Sequence, residues 1–195
     1  MPTPSVNFGN LLKTSAEVWV APLGTALPDK TIAAGASWGT GWSSLGVTDT
    51  PLAFKYTEER FQWKPDQYTA PIDERVTSQS AMFETTIGEF TLTQLGDMLG
   101  ETVVAGTDEN TLTINTRRLV TKYAIGFEGV QYNASDEAVP VRVFVSRATM
   151  KLNGDLSFSG NDDAKTGLPL QVNALSDPAS SGKLFVVHQV TAPPA

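Results

Sequence analysis

Acid-base or covalent catalysis needs a nucleophile, a base and an orienting partner brought within reach of one another. The chain has one histidine, His188, and no cysteine. His188 follows Leu184, Phe185, Val186 and Val187, and so reads as a packed or surface side chain of a strand rather than a base. Acidic neighbours occur at Glu58-Glu59, Asp73-Glu74, Asp108-Glu109, Asp136-Glu137 and Asp162-Asp163, nearly all at turn-like positions where carboxylates are simply solvated. The oxygen-rich run Ser159-Gly160-Asn161-Asp162-Asp163 lacks the alternating ligand spacing and distal glutamate of a calcium loop. Gly35, Gly39, Gly41 and Gly46 form neither a phosphate-binding loop nor a dinucleotide fingerprint. We therefore assign no catalytic, cofactor-binding or metal-ligating residue, and expect no enzyme and no cofactor.

Composition narrows the remaining classes. Charged residues make up 18% of the 195, below the roughly 25% of an average soluble domain, and this favours large buried or partner-covered surfaces. The net charge is -7 with no basic run, so tight binding to nucleic-acid phosphates is not expected. Without cysteine, stability must come from packing or assembly. No run of about 18 apolar residues suggests a membrane span.

The periodicity is that of strands. Ala16–Ala21 alternates and is halted by Pro22 and Gly24. Residues 23–50 form a long glycine-punctuated connection, which Trp38 and Trp42 should pin to the body. Leu52, Phe54 and Tyr56, then Phe61 and Trp63, imply two strands or a hairpin bent near Glu58-Glu59. Arg75–Phe90 reads as a long extended segment, polar on both faces. A single short helix follows at about 91–99, with Thr91 and Gln94 as a capping box and Gly100 closing it.

Leu119, Tyr123, Ile125 and Phe127 share one strand face, and Val139, Val141, Val143 and Val145 repeat the pattern. The apolar parity then shifts to Ala148, Met150, Leu152, Leu156 and Phe158. A bulge near Ser146-Arg147 explains the shift slightly better than a hairpin turn at Asn153-Gly154, which would mix the two faces. Leu168, Leu170, Val172 and Ala174 form another half-buried strand, and Leu184–Val190 a buried closing strand. The organisation expected is one mainly antiparallel β domain, sandwich- or barrel-like, over 15–190, with arms at 1–14 and 191–195.

A long polar strand with open edges is an aggregation hazard in a monomer, and pairing every edge or closing a barrel removes it. If several copies build one barrel, Thr77, Ser78, Gln79 and Ser80 are suited to a wetted inner wall. An acidic lining would keep DNA phosphates from adhering.

Ala16–Pro28 and Trp38-Gly39-Thr40-Gly41-Trp42-Ser43-Ser44-Leu45-Gly46, followed by Glu89-Phe90-Thr91-Leu92 before the helix, resemble siphophage major tail tube proteins, notably those of actinobacterial phages. The resemblance spans roughly residues 15–175. It implies a structural virion protein, made in the bacterial host cytoplasm, whose sixfold rings stack into a DNA-ejection tube. Its expected partners are further copies of itself, a tape-measure protein and a tail terminator. It also places a loop or hairpin at 51–70 against the neighbouring ring, with Phe61, Trp63 and Tyr68 as anchors and Trp38 and Trp42 as further contact candidates. Two alternatives stay open: another head-tail connector such as a tail terminator or completion protein, and a monomeric β-sandwich that binds ligands through Trp38, Trp42 or Trp63.

Overall fold

The computed structural model describes residues 16–116, 119–132, 137–156 and 167–190. The alternating runs become strands β1 (Glu17–Pro22), β2 (Ser43–Val47), β3 (Ala53–Trp63), β4 (Asp73–Ile87), β5 (Val103–Ala105), β6 (Asn110–Leu112), β7 (Tyr123–Tyr132), β8 (Ala138–Leu152), β9 (Leu168–Ala174) and β10 (Val186–Gln189). The main sheet runs β2-β1-β7-β8-β9-β4-β3, with β10 pairing β8, and every pairing is antiparallel. Beyond β2 the chain returns to β4. Thr48 bridges Ile87, the Asp49 amide donates to the Thr86 carbonyl at 2.7 Å, and the Gly88 amide donates to the Val47 carbonyl at 2.9 Å. Six strands thus curl into a barrel-like body, and β3 stays outside it as an edge strand.

The interior is filled by residues of matching parity: Val18 and Val20, Leu45, Phe83 and Ile87, Ile125 and Phe127, Val145, Ala148 and Met150, Leu168, Leu170 and Val172. Helix α1 (Leu92–Leu99) adds Met98 to this core. Its capping box forms as expected: the Gln94 amide donates to Thr91 Oγ1 at 3.1 Å and the Thr91 amide to Gln94 Oε1 at 2.8 Å. Gly100 closes it in the left-handed conformation. Gln94 Nε2 also donates to the Leu45 carbonyl at 2.6 Å, tying the helix to β2.

The parity shift in β8 is a bulge within one continuous strand. Tyr123 pairs with Ala148 and Ile125 with Val145, so Ser146 and Arg147 together oppose Ala124. The bulge lets β8 keep apolar groups inward on both sides of it, pairing β7 first and then β9.

Four expectations need correction. Leu119 lies before β7 and is 92% exposed, so the strand begins at Tyr123. Val141 and Val143, placed on the apolar face, are only half-buried while Arg142 and Phe144 on the other face are buried, because the 23–42 connection covers that face. The closing strand shortens to the half-exposed β10, an edge on β8. The 52–63 region is a single strand whose partner is β4, so the hairpin spans 53–87 rather than ending near 70. The arms at 1–14 and 191–195 and the Ser159–Asp163 run lie outside the described residues.

Candidate assembly interface

The outer ends of β3 and β4 form a two-stranded ribbon. β9 pairs β4 only from Met82 to Ile87, whereas β3 stays paired to β4 as far as Trp63 opposite Asp73. From Thr57 to Trp63 the ribbon therefore has no third strand among the described residues and extends about 20 Å. A bare two-stranded hairpin is marginal in water. This one exposes apolar groups on both faces: Phe61 (50%) and Trp63 (54%) on one and Val76 on the other, the face that Phe54 and Tyr56 share just before it, with Tyr68 (54%) and Ile72 in the tip.

Local polar contacts stiffen it. Arg60 pairs with Glu58 and reaches Glu74 at 3.4 Å, which holds the Glu58 carboxyl below the usual range. The Arg75 guanidinium sits 5.5 Å from the Phe61 ring centre. Thr77 is the extra residue where the pairing slips, since Glu59 opposes Ser78 and Arg60 opposes Val76; its hydroxyl donates to the Glu59 carbonyl at 3.1 Å.

At the body end, the sheet face opposite the core is mostly polar and half-exposed, with Gln171 buried within it. One rung aligns Lys55, Met82, Asn173 and Thr149, and the next Ala53, Glu84, Gln171 and Lys151. Ser78 and Ser80 continue this face, but Gln79 points the other way, with Ala81 and Phe83, and Thr77 sits in the bulge. The four wall candidates therefore do not share one surface. The face also balances Lys55 and Lys151 against Glu59 and Glu84, so it is polar rather than markedly acidic.

Trp38 and Trp42 are buried inside the chain at 3% and 8% exposure, which removes them from the surface contacts and from the ligand-binding alternative. Trp38 stacks on Trp19 at 5.2 Å and meets Trp42 edge-on at 5.1 Å, with Phe144 beneath. Under them lies a buried ion pair that sequence reasoning missed. Arg142 Nε donates to Glu128 Oε2 at 2.5 Å, Trp38 Nε1 to the same oxygen at 3.1 Å, and the Gly35 amide to Glu128 Oε1 at 2.7 Å. Arg142 also donates to the carbonyls of Asp29 and Ile32, at 3.3 and 2.6 Å. The cross-strand pairing of Glu128 with Arg142 was the one available signal, and it requires the β7–β8 register to be known. His188 packs edge-on against Phe144 at 5.5 Å, as a structural side chain does.

Comparison with known families matches residues 9–194 to the model of the phage tail tube protein. The chain belongs to the phage tail tube protein family. A search of curated proteins finds no match. As a tail tube protein it is a structural, non-enzymatic component of the phage tail that assembles with copies of itself. Among the described residues no cluster of three metal-binding side chains occurs, and no helix is long and apolar enough to cross a membrane.

Proposed function

We propose that this tail tube protein forms sixfold rings that stack into a channel through which DNA leaves the capsid. The observation carrying this reading is the unsupported β3–β4 ribbon, whose Phe61, Trp63 and Tyr68 are left exposed in the single chain. Exposed aromatics on a projecting edge are a liability unless a neighbouring copy covers them. The free edge of β3 joins the sheet of the next subunit, and the polar β8-β9-β4-β3 face lines the bore with hydroxyls, amides and balanced charge. Such a lining offers phosphates little to hold. A tape-measure protein and a tail terminator are the further partners of this reading.

Negative-stain microscopy of the purified chain tests it. Hollow tubes with a regular axial repeat are expected. Isolated rings at every concentration would support a terminator or completion protein, and a monomer whose light-scattering mass is independent of concentration would overturn self-assembly.

A further inference from the structure

On the side of the body lies a cleft of about 620 Å³, bounded by the 23–27 turn after β1 and the 177–183 turn before β10. Its apolar wall comes from Leu23, Leu27, Phe144 and Val186, and its polar groups are Arg147, Lys183 and Asp177. Leu23 and Leu27 are exposed there, uncovered by any described part of the chain. The volume falls in the range that accommodates a cluster of aromatic side chains.

The charge in the cleft is not self-compensating. Asp177 accepts from the Ala179 amide at 3.1 Å and from the side chains of Ser180 and Ser146, which with the Arg147 charge hold its carboxyl below the usual range. Arg147 donates from one terminal nitrogen to the Ser176 carbonyl at 3.4 Å, yet its buried Nε has no hydrogen-bond partner among the described residues. Lys183 is exposed at the rim. The cleft thus combines an apolar floor with a surplus of cationic donors, and it suits an aromatic segment interleaved with carboxylates.

This chain carries such a segment. The ribbon tip from Trp63 to Asp73 sets Trp63, Tyr68 and Ile72 beside Asp66 and Asp73, followed by Glu74, with Lys64 as the only cation between Trp63 and Asp73. We propose that the β3–β4 tip of one copy docks in the 23–27/177–183 cleft of another, Tyr68 and Trp63 filling the apolar floor and Asp66 meeting Lys183 and Arg147. Each chain then offers one tip and one cleft. Such a heterologous contact propagates from copy to copy rather than closing as a dimer. The inference rests on the self-assembly proposed above but fails separately from it.

The absence of cysteine makes a crosslinking test clean. Tyr68→Cys with Lys183→Cys, oxidised after assembly, is expected to give a ladder of covalent multimers. Tyr68→Cys with Ile114→Cys, which targets the separate exposed apolar segment near β6, is expected to give none. Wild-type tubes together with a ladder from the second pair alone, or from neither pair, overturn the docking while leaving self-assembly standing. Failure of the wild-type chain to assemble overturns both. Should the cysteine pair itself block assembly, charge exchange decides. Lys183→Glu and Asp66→Lys singly should each raise the concentration needed for assembly severalfold, and together should return it towards the wild-type value; single variants without effect overturn the proposal.

Discussion

Gly126 is where one side chain's absence determines how the connection packs. It pairs with Trp19, and a methyl group built on it would stand 2.1 Å from Trp38 Cζ3, so the indole rests directly on the β7 backbone. Gly126→Ala should therefore cost about 1–3 kcal/mol by overpacking, read as a lowered urea midpoint. In a Trp38→Ala background the same change should cost almost nothing, because the ring that collides has gone. The Glu128–Arg142 pair beneath is a second such point. Glu128→Ala leaves a buried guanidinium with carbonyl acceptors but no counter-charge and should cost about 3–5 kcal/mol, whereas Glu128→Leu with Arg142→Met should recover only part of that loss, because the Trp38 indole, the Gly35 amide and the Asp29 and Ile32 carbonyls then lose their partners. The sequence offered Trp38 and Trp42 as pins but not the charged pair they cover. An arginine between valines reads as an outward residue until the connection is laid over it.

Elements whose cause is local were legible. Thr91, Gln94 and Gly100 announce the helix because capping uses only neighbouring residues, and the β8 bulge shows as a slip in apolar parity. The β3–β4 ribbon was legible only in part. Its polar Thr and Ser composition was plain, but its length depends on where β9 stops pairing, and that register is long-range. Gln79 is set apart from Ser78 and Ser80 by strand alternation alone, whereas the phase change at Thr77, which resets the ribbon beyond it, depends on the β3–β4 register. With only two strands and solvent on both faces, the ribbon beyond Thr57 should exchange its amides quickly in the free subunit. In assembled tubes, residues 57–63 and 73–80 should become strongly protected, while the β7–β8 core changes little. Equal protection in both states would mean that the ribbon has no partner in the tube. Replacing residues 64–72 with Asn-Gly should leave the thermal midpoint of the subunit nearly unchanged and abolish tubes under the microscope, since none of the deleted residues reaches the core.

At the scale of the whole molecule, the net charge of -7 sets assembly against itself, because each added copy brings the same sign to the growing structure. The repulsion acts between surfaces tens of ångströms apart and is therefore sensitive to screening. The Debye length is about 30 Å at 0.01 M salt and about 8 Å at 0.15 M. The contacts that favour joining are of another kind. Exposed aromatics on the ribbon gain by leaving water, and salt hardly weakens that; ion pairs closed inside an interface are screened less than charges left in solvent. Salt should accordingly remove the opposing force faster than the favourable one. The concentration at which tubes appear in sedimentation or light scattering should fall as NaCl rises from 0.01 to 0.15 M. Neutralising exposed carboxylates remote from the ribbon, for example Asp108→Asn with Glu109→Gln in the turn before β6, should reproduce part of that fall at low salt. If instead salt dissolves tubes, assembly is held mainly by exposed opposite charges, and the ribbon's aromatic surface is not its chief adhesive.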